Sequence, residues 1–487
     1  MKLQSLRHTS TAAFLLLAVL AITASSCGDR KDTETKQTET ITTAAVTEEI
    51  DPLPDNLPER DFGGYEFQSY VRSCCPSHKD GLWQEDSDGD VIDIAVFERN
   101  KKVENRFNCI IAEPKLAEGE DITVLQNSLL AADYITDIAV HHFRFLGDLA
   151  LQQLLADMNT MEYLDFSQPW WNKDLIENYS IFDKVFVGYG TIDSDNITNV
   201  SVLYYNKHLA NEKLDINFYD TVKNGEWTID KMDEIIHEFG TDLNGDGKIE
   251  YEKDELAFTA NAGYMFQYQV AMDQKTTKLN DAGEPELCIN TEKMTSIVDK
   301  MYHMICDYPY SIVDNDTGSQ AFIDGRSLFL TENLGIALKQ LREMKDDYGI
   351  IPLPKYDKEQ DRYYSHASAH ANCMSVPIIN SDFERVGIIL EALAAEGYKI
   401  IRPAVYDVAL KQKGARDEAS AEMIDLICAG RTGDFADLYD EWGLVYTLDH
   451  MIGRQKNNNF ASYYAKNEKT SINRLKKAVK AFASFEE

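Results

Sequence analysis

Short apolar runs alternate with amphipathic stretches from residue 65 onwards. Residues 65–71 carry aromatic side chains at alternate positions, which predicts a strand, whereas Val91–Phe107 places its apolar residues on one helical face. The same alternation predicts further strands at 109–112, 135–140, 185–187, 202–205 and 328–330, and further helices at 121–132, 147–155 and 228–239. Such a succession predicts an α/β fold with mainly parallel strand pairing.

Beyond about residue 380 the pattern is largely helical. Apolar faces at the helical period lie in Phe383–Glu396, 419–429 and 471–485. No repeat with a period of about 20–50 residues is visible, which argues against a solenoid.

The N-terminus has the pattern of an export signal. Lys2 and Arg7 are followed by an apolar run at 12–22, and small residues at 24–26 precede Cys27. The run is too short to span a bilayer comfortably, so it predicts a signal peptide over residues 1–27. The small residues before Cys27 resemble the bacterial lipobox, which implies that this cysteine is lipidated. An ordinary secretory signal with a nearby cysteine is the alternative.

The segment after the signal predicts a disordered tether at 28–60. Residues 28–50 contain seven threonines among Glu, Lys and Asp and no aromatic residue, so they cannot bury enough apolar surface to fold. Pro52, Pro54 and Pro58 extend this stretch as a stiff spacer. A lipid anchor followed by a tether and a folded body is typical of a surface-tethered protein.

Composition narrows the class of partner. The 487-residue chain has 48 Lys and Arg against 82 Asp and Glu, a net charge of −34. An apolar fraction of 44% is enough to build a core, and the length suits two or three domains. The acidic excess argues against nucleic acid or an anionic membrane surface as a partner, because both are bound through clustered basic residues.

A series of short segments resembles one family in the same order along the chain. The segments lie at 61–65, 89–92, 98–100, 167–172, 202–207, 224–230, 322–326, 348–355, 416–423 and 460–463. They resemble bacterial extracellular solute-binding proteins of the sugar-transport type (family 1), which are substrate-binding lipoproteins of ABC importers. The resemblance spans almost all of residues 60–487.

This resemblance implies a two-lobed periplasmic-binding-protein-like (type II) α/β fold with interlobe crossover strands and a helical C-terminal part. We expect one lobe from 61–197 plus about 375–430, and the other from 198–374 plus about 431–487. The implied function is capture of a small carbohydrate between the lobes for ABC permease subunits. The implied protein is a monomer without enzymatic activity, held at the extracellular face of the bacterial cell membrane only by its N-terminal lipid.

Aromatic residues are candidates for sugar binding because sugars stack their C–H faces on rings. Trp170 and Trp171 are adjacent, which indicates either a platform in the cleft or a structural wedge under the loop. Trp83 follows the first predicted strand in a loop.

Strand ends supply the polar candidates. Loops at the carboxyl ends of parallel strands form the crevice of an open α/β sheet. This rule selects His141, His142 and Arg144 after the strand at 135–140, and Thr331 and Glu332 after the strand at 328–330.

Further candidates come from the resemblance, which places one interlobe crossover near Asn199. It places a second crossover at 363–370, with Tyr364 and His366 at the cleft.

Residues 242–254 resemble a calcium loop. Asp242, Asn244 and Asp246 occupy its first, third and fifth positions, and Gly247 occupies the sixth. Position twelve is Lys253 instead of Glu, and Asp254 follows one residue late. We therefore expect a structural Ca²⁺ ion and no organic cofactor, with a solvated acidic turn as the alternative. The expected ligands are Asp242, Asn244, Asp246, Lys248, Glu250 and Asp254.

Other functions remain open. The chain lacks the nucleophile elbow, the phosphate-binding P-loop and the zinc-protease motif, and no pair of its many carboxylates is singled out for glycoside hydrolysis. A surface sensor or adhesin could use the same fold without a transporter. A peptide or another polar solute could replace the sugar.

Overall fold

The computed structural model describes residues 51, 53–74, 77–315, 318–367, 371–411, 418–440 and 443–483. The chain divides after Pro54, and every element below lies in Asp55–Glu487. The predicted signal peptide, Cys27 and most of the predicted tether lie outside the described residues.

Fifteen strands occur among the described residues. They are β1 (Tyr65–Phe67), β2 (Ser69–Val71), β3 (Cys109–Ile111), β4 (Lys115–Leu116), β5 (Ile138–His142), β6 (Ser201–Asn206), β7 (Leu256–Asn261), β8 (Thr277–Leu279), β9 (Pro285–Leu287), β10 (Ser311–Asp314), β11 (Ser327–Asn333), β12 (Tyr348–Ile351), β13 (Ser365–His366), β14 (Asn372–Ser375) and β15 (Arg431–Thr432).

Seventeen α-helices accompany them in the same part of the chain. They are α1 (Ser77–Asp80), α2 (Val91–Phe107), α3 (Thr123–Leu130), α4 (Phe143–Leu151), α5 (Lys173–Tyr179), α6 (Ser194–Thr198), α7 (Lys207–Lys213), α8 (Phe218–Lys223), α9 (Ile229–His237), α10 (Phe266–Ala271), α11 (Glu292–Ile305), α12 (Gln320–Ile323), α13 (Phe383–Glu396), α14 (Arg402–Lys411), α15 (Glu418–Ala429), α16 (Phe435–Tyr439) and α17 (Phe460–Ala483). None of these helices is long and apolar enough to cross a membrane.

The first sheet has four strands in the order β14-β5-β2-β4. Strands β4, β2 and β5 are parallel, whereas β14 runs antiparallel to β5. Alternate residues of β5 lie on opposite faces of this sheet. Ile138 and Val140 pack into one apolar cluster, and Ala139 packs into another. Because both faces are covered, the strand is apolar over Ile138–Val140, as buried parallel strands are, and it ends in two buried histidines.

The second sheet has five strands in the order β10-β7-β11-β6-β12. Strands β10, β7 and β11 are parallel, and β6 and β12 are antiparallel to their neighbours. Leu203 and Tyr205 face one core, whereas Val202 and Tyr204 face the other. Each sheet thus has a core on both of its faces.

Two segments of the chain cross between the sheets side by side. The first leaves α6 and enters β6, and the second leads from β12 through β13 to β14. Val200 and Ala367 form an antiparallel bridge where the segments meet. The antiparallel pairs at β6, β12 and β14 arise because the chain changes sheets there, so pairing is mixed instead of parallel throughout.

The predicted helix over Val91–Phe107 is confirmed. The side chain of Asp90 accepts hydrogen bonds from the backbone N–H groups of Ile92 and Asp93, and the side chain of Asp93 accepts the backbone N–H of Asp90, which forms a capping box. Asn108 ends the helix in the left-handed conformation.

Two predicted strands differ from the structure. The strand expected at 65–71 is interrupted at Gln68, so β1 pairs with β3 while β2 joins the first sheet. Residues 185–187 form no strand; the pairs next to them are isolated bridges, Ile181 with Lys184 and Gly188 with Met374.

The helices after residue 380 contribute to both halves of the fold. Helix α13 packs on α2 beside the first sheet, and α15 packs on β12 of the second sheet. Apolar residues of α16 and of the end of α17 join the core of the first sheet. Helices before the predicted boundary near residue 430 thus pack on both sheets, and helices after it pack into the core of the first sheet.

Candidate functional site

A buried arginine lies at the carboxyl edge of the first sheet. Arg72 directly follows β2, and Asn372 begins β14 on the other side of β5. The Nε of Arg72 donates to Oδ1 of Asn372 at 2.7 Å, and Nδ2 of Asn372 donates to Oδ2 of Asp193 at 2.6 Å. All three side chains are buried, and a buried charge requires such partners. The edge is therefore an organised polar network.

This network reaches the first crossing segment. The backbone N–H of Asn372 donates to Oδ1 of Asn196 in α6 at 3.1 Å. Burial raises the pKa of Asp193 to about 7, and the charge of Asp195 adds to the shift. In the structure its two oxygens accept from Nδ2 of Asn372 and from the backbone N–H of Asp195.

The predicted loop after the strand at 135–140 is absent. Strand β5 continues through His142, and α4 begins at once with Phe143. The ring Nδ1 of His142 accepts the backbone N–H of Arg144 at 3.2 Å, so this histidine caps the helix. His141 and His142 are thus strand residues, and Arg144 lies in the first helical turn.

His141 is wholly buried at this edge. Its ring meets Phe145 edge to face at 5.1 Å, and neither ring nitrogen has a hydrogen-bond partner. Burial, together with the positive charges of Arg72 and Arg144, lowers the pKa of His141 to about 3. The imidazole is therefore neutral at any physiological pH.

Two arginines share one carboxylate beside His141. Arg72 and Arg144 lie 3.4 Å and 3.3 Å from the two carboxylate oxygens of Glu120. The side chain of Glu120 is about one-third exposed, at 35%. Glu120 thus offsets the positive charges of both arginines at the surface end of the edge.

Polar residues also end the strands of the second sheet. Thr331 and Glu332 are the last-but-two and last-but-one residues of β11 instead of following it. Asn333 donates from Nδ2 to the hydroxyl of Tyr264 at 3.1 Å. Burial raises the pKa of Glu332 to about 7, against the opposing effect of its hydrogen bond with Tyr264. The Thr331 hydroxyl lies 2.6 Å from that of Tyr268.

Both edges are attached to the same crossing segments. The backbone N–H of Leu334 donates to the carbonyl of Val200 at 2.9 Å, just as Asn372 is tied to Asn196 on the other side. We call the polar residues of the two edges the crossover site, comprising Arg72, Asp193, Asn372, Tyr264 and Glu332. It combines a guanidinium, an amide, a phenol and two carboxyl groups whose pKa values are raised by burial.

The predicted crossover residues lie within this region but are turned inwards. Asn199 ends α6 and is buried, and its backbone N–H donates to the carbonyl of Asp195 at 2.7 Å. Tyr364 is half-buried beneath the guanidinium of Arg362, which lies 4.7 Å from its ring centroid. His366 has no exposed surface. Ligand contact by these residues stays a prediction.

The tryptophan pair is held by one carboxylate. Trp170 and Trp171 are 1% and 5% exposed, and their indole N–H groups donate to the two oxygens of Glu391, each at 2.8 Å. Burial raises the pKa of Glu391 to about 7, although the indole hydrogen bonds act to lower it. An added Cβ at Gly190 would lie 2.6 Å from Cε3 of Trp171, so the glycine permits this packing.

The two indoles also line a cavity of about 570 Å³. Its other lining residues include Asn172, Tyr189, Asn196, Arg362, Tyr398, Arg402, Tyr406 and Arg431. Arg402 is already stacked between Tyr398 and Tyr406, at 4.9 Å and 4.5 Å from their ring centroids. Because Asn196 lines the cavity and also accepts the backbone N–H of Asn372, the cavity adjoins the crossover site. A role for either indole in ligand binding stays a prediction.

Trp83 occupies a different position. Its Nε1 donates to the carbonyl of Ile111 at 3.0 Å, and it packs against the cluster that contains Val71 and Phe107. Lys79 lies over its ring at 5.0 Å. These contacts place Trp83 among core residues next to α2.

The acidic loop at 242–254 is organised by its own backbone. Asp242 accepts from the N–H groups of Gly245 and Gly247, at 2.7 Å and 2.8 Å. Asn244 and Asp246 each accept a backbone N–H two residues ahead, at 2.8 Å. Both glycines have positive φ, at 72° and 79°, which allows the tight turn. These three side chains thus fasten the turn through its backbone N–H groups. Binding of Ca²⁺ by their oxygens stays a prediction.

The closing residues of the loop fit calcium less well. Asp254 is buried, and its two oxygens accept the backbone N–H groups of Leu243 at 3.0 Å and Glu250 at 2.7 Å. The carboxylate of Glu250 pairs with Lys253 at 2.5 Å. Asp254 therefore fastens the loop, and Glu250 would have to leave Lys253 in order to bind an ion.

Several residues of the crossover site escaped sequence reasoning. Arg72 follows a strand directly, so the carboxyl-end rule that selected His141 selects it as well. Tyr264 follows β7, a strand that was not predicted. No local pattern marks Asn372 or Asp193, because their partners are 300 and 179 residues away in the chain.

Comparison with known proteins finds similarity at the level of structure. No protein-family model and no curated protein sequence matches the chain. UgpB from Mycobacterium tuberculosis, solved in complex with glycerophosphocholine, is 16% identical with a TM-score of 0.53 and covers 87% of this chain and 100% of its own. The ABC substrate-binding protein Lmo0181 from Listeria monocytogenes, solved in complex with cycloalternan, is 12% identical with a TM-score of 0.50 and covers 86% and 99%. These likenesses confirm the predicted two-lobed α/β fold of substrate-binding proteins.

Proposed function

We propose that the protein is a receptor that binds a carbohydrate in the crossover site and delivers it to an ABC importer. The observation that carries the proposal is the attachment of both sheet edges to one pair of crossing segments, through Asn372–Asn196 and Leu334–Val200. Ligands of open α/β sheets bind at such carboxyl edges. The structural neighbours, solved with glycerophosphocholine and cycloalternan, support a small polar ligand.

The side chains of the site suit a ligand rich in hydroxyl groups. A sugar hydroxyl both donates and accepts hydrogen bonds, and it needs partners that can do the same. Glu332, which is partly exposed and has a pKa near 7, meets that need, and Tyr264 adds a hydroxyl. Arg72 and Asp193 are buried behind the edge and hold it in place. The net charge of −34 disfavours an anionic ligand and is compatible with a neutral one.

Binding would work through closure. A ligand that contacts both sheet edges binds the closed arrangement more tightly than the open one, so it shifts the population towards closed. The permease would recognise that closed form. No reaction is part of this role.

The rest of the proposal concerns the N-terminus. Lipidation of Cys27 and the tether at 28–60 would hold the protein at the extracellular face of the cell membrane, as a monomer. Replacing Cys27 with Ser tests the anchor, since the variant should leave the detergent phase in a partition assay. A variant that stays there contradicts lipidation at Cys27.

We further propose that Ca²⁺ binds the loop at 242–254 as a structural ion. Asp242, Asn244 and Asp246 would supply side-chain oxygens, and the carbonyl of Lys248 would add one. The ion would offset the repulsion between the carboxylates and rigidify a surface loop.

A thermal-shift screen of the chain without its signal peptide tests the proposed receptor. Mono- and oligosaccharides, peptides and other polar solutes are compared with and without Ca²⁺. A ligand at a hundred times its Kd stabilises the folded state by about 2.7 kcal/mol, which a melting curve resolves. Selective stabilisation by one class of sugar supports the proposal. Stabilisation by peptides alone, or by no solute, contradicts it and favours a different ligand or a sensor.

A further inference from the structure

Two histidines from neighbouring helices meet at the surface of the second lobe. His237 ends α9 and His303 lies in the last turn of α11. Their rings stack at 4.7 Å with an interplanar angle of 19°. The two imidazoles, one from each helix, are therefore in contact.

A carboxylate completes the group. One ring nitrogen of each histidine and one carboxylate oxygen of Asp233 all lie within 4.8 Å of one another. The Oδ1 atom of Asp233 is buried and makes no hydrogen bond, although His237 Nδ1 lies 3.2 Å away. Among the described residues this is the single cluster of three or more His, Cys, Asp or Glu with such spacing.

The contact of one ring resembles that of a metal-binding histidine. Such a histidine holds its second nitrogen against a carbonyl or carboxylate, which fixes the tautomer. Nδ1 of His303 faces the carboxylate of Asp307 at 3.7 Å, which leaves Nε2 of this ring able to bind an ion. Nδ1 of His237 lies 3.0 Å from the backbone carbonyl and 3.2 Å from Oδ1 of Asp233, so it is the nitrogen of this ring beside the carboxylate.

The helix ends favour a cation as well. The carboxyl end of a helix carries partial negative charge, and both histidines lie in last turns. The backbones are fixed independently, because Met232 and Ile236 of α9 share a core with Met301 and Met304 of α11. An ion would therefore be bound by side chains from two helices that the core already holds together.

We propose that Asp233, His237 and His303 form a binding site for a divalent transition-metal ion, with Zn²⁺ as the best fit. Two imidazoles and one carboxylate are a known ligand set for Zn²⁺, with a water in the fourth position. Ligand atoms around such an ion lie roughly 3.3–3.6 Å apart, given bonds of about 2.0–2.2 Å, so the side chains close by about 1 Å. The ion would clamp α9 to α11.

The test uses the chain without its signal peptide and without a polyhistidine tag, in excess Ca²⁺ so that the acidic loop does not compete. Zn²⁺ is titrated calorimetrically, and Co²⁺ is added separately to follow the visible absorption of a tetrahedral site. We expect one Zn²⁺ per chain, a higher melting temperature and a Co²⁺ band.

Three variants locate the ion. His303→Ala and Asp233→Asn should each weaken Zn²⁺ binding at least about tenfold, because loss even of an outer contact costs about 10–100-fold. The His303 side chain is 61% exposed, so its removal leaves the fold intact, which the metal-free melting temperature verifies. His208→Ala is the matched control, since His208 also pairs with a carboxylate one turn away, Glu212 at 3.4 Å.

An unchanged affinity in His303→Ala, or equal losses in His303→Ala and His208→Ala, overturns the site. So does the absence of both Zn²⁺ binding and a Co²⁺ band.

Discussion

His366 and Asp437 form an ion pair without exposed surface, with the imidazole Nε2 at 2.9 Å from Oδ2 of the carboxylate. His366 belongs to the second crossing segment, and Asp437 belongs to α16. The same carboxylate oxygen accepts the backbone N–H of Asp434 at 2.8 Å. The pair therefore fastens a crossing segment to a C-terminal helix at the junction of the two sheets.

Removing one member of this pair should destabilise the protein strongly. Asp437→Ala leaves a buried imidazole without its counter-charge, and such losses cost about 3–5 kcal/mol. The control is Arg362→Ala, which removes an exposed pair with Asp174 at 2.7 Å and should cost at most about 1 kcal/mol. Urea denaturation measures both, and equal midpoints for the two variants contradict the assignment.

The same pair predicts a dependence of stability on pH. Burial acts to lower the pKa of His366, but the charge and hydrogen bond of Asp437 outweigh it and raise that pKa above its usual value. A raised folded pKa contributes stability that is complete below pH about 6.5 and is lost as the pH rises through the folded value. The melting-temperature difference between wild type and His366→Gln should shrink as the pH rises. A difference that grows instead contradicts this protonation.

The tryptophan pair should behave as part of the core. Trp170→Ala should cost about 3–5 kcal/mol, because it opens a large cavity. Trp170→Phe keeps most of the volume but removes one donor to Glu391, so it should cost about 1–3 kcal/mol. Urea denaturation separates the two. An alanine variant with wild-type stability but no ligand binding would instead assign Trp170 to ligand contact.

Calcium should stabilise the protein through the loop at 242–254. We expect a Kd of about 10⁻⁴–10⁻³ M, typical of extracellular modules, because the closing residues are partly engaged. Asp242→Ala should abolish the rise in melting temperature on Ca²⁺ addition, whereas Asp281→Ala, in the exposed turn between β8 and β9, should retain it. Equal Ca²⁺ responses in the two variants exclude this loop as the site.

Local sequence determined some elements and could not determine others. The capping box of Asp90 and Asp93 lies within the helix start itself, so α2 was predictable to the residue. The carboxyl-end rule found His141 and Glu332 as edge residues, although both strands run further than the pattern indicated. The partner of the tryptophan pair, Glu391, is 220 residues away, and only the folded chain brings it near.

Sequence reasoning found only part of the crossover site, because most of its contacts also join residues that are distant in the chain. Its residues come from five separate segments, and a strand end is the sole local signal that any of them carries. Arg72 carries that signal, because it directly follows the predicted strand at 65–71, whereas Asn372 and Asp193 become polar partners only through tertiary packing.

Calorimetric titration of the stabilising sugar into wild type and Glu332→Gln tests the central claim most directly. Glu332 is partly exposed and its pKa is about 7, so the amide replaces it with little effect on folding. Loss of a hydrogen bond to a charged group, about 1.5–3 kcal/mol, predicts affinity at least about tenfold weaker. Glu343→Gln, on an exposed neighbouring turn, should bind like wild type. Equal affinities in all three proteins would contradict ligand binding at the crossover site.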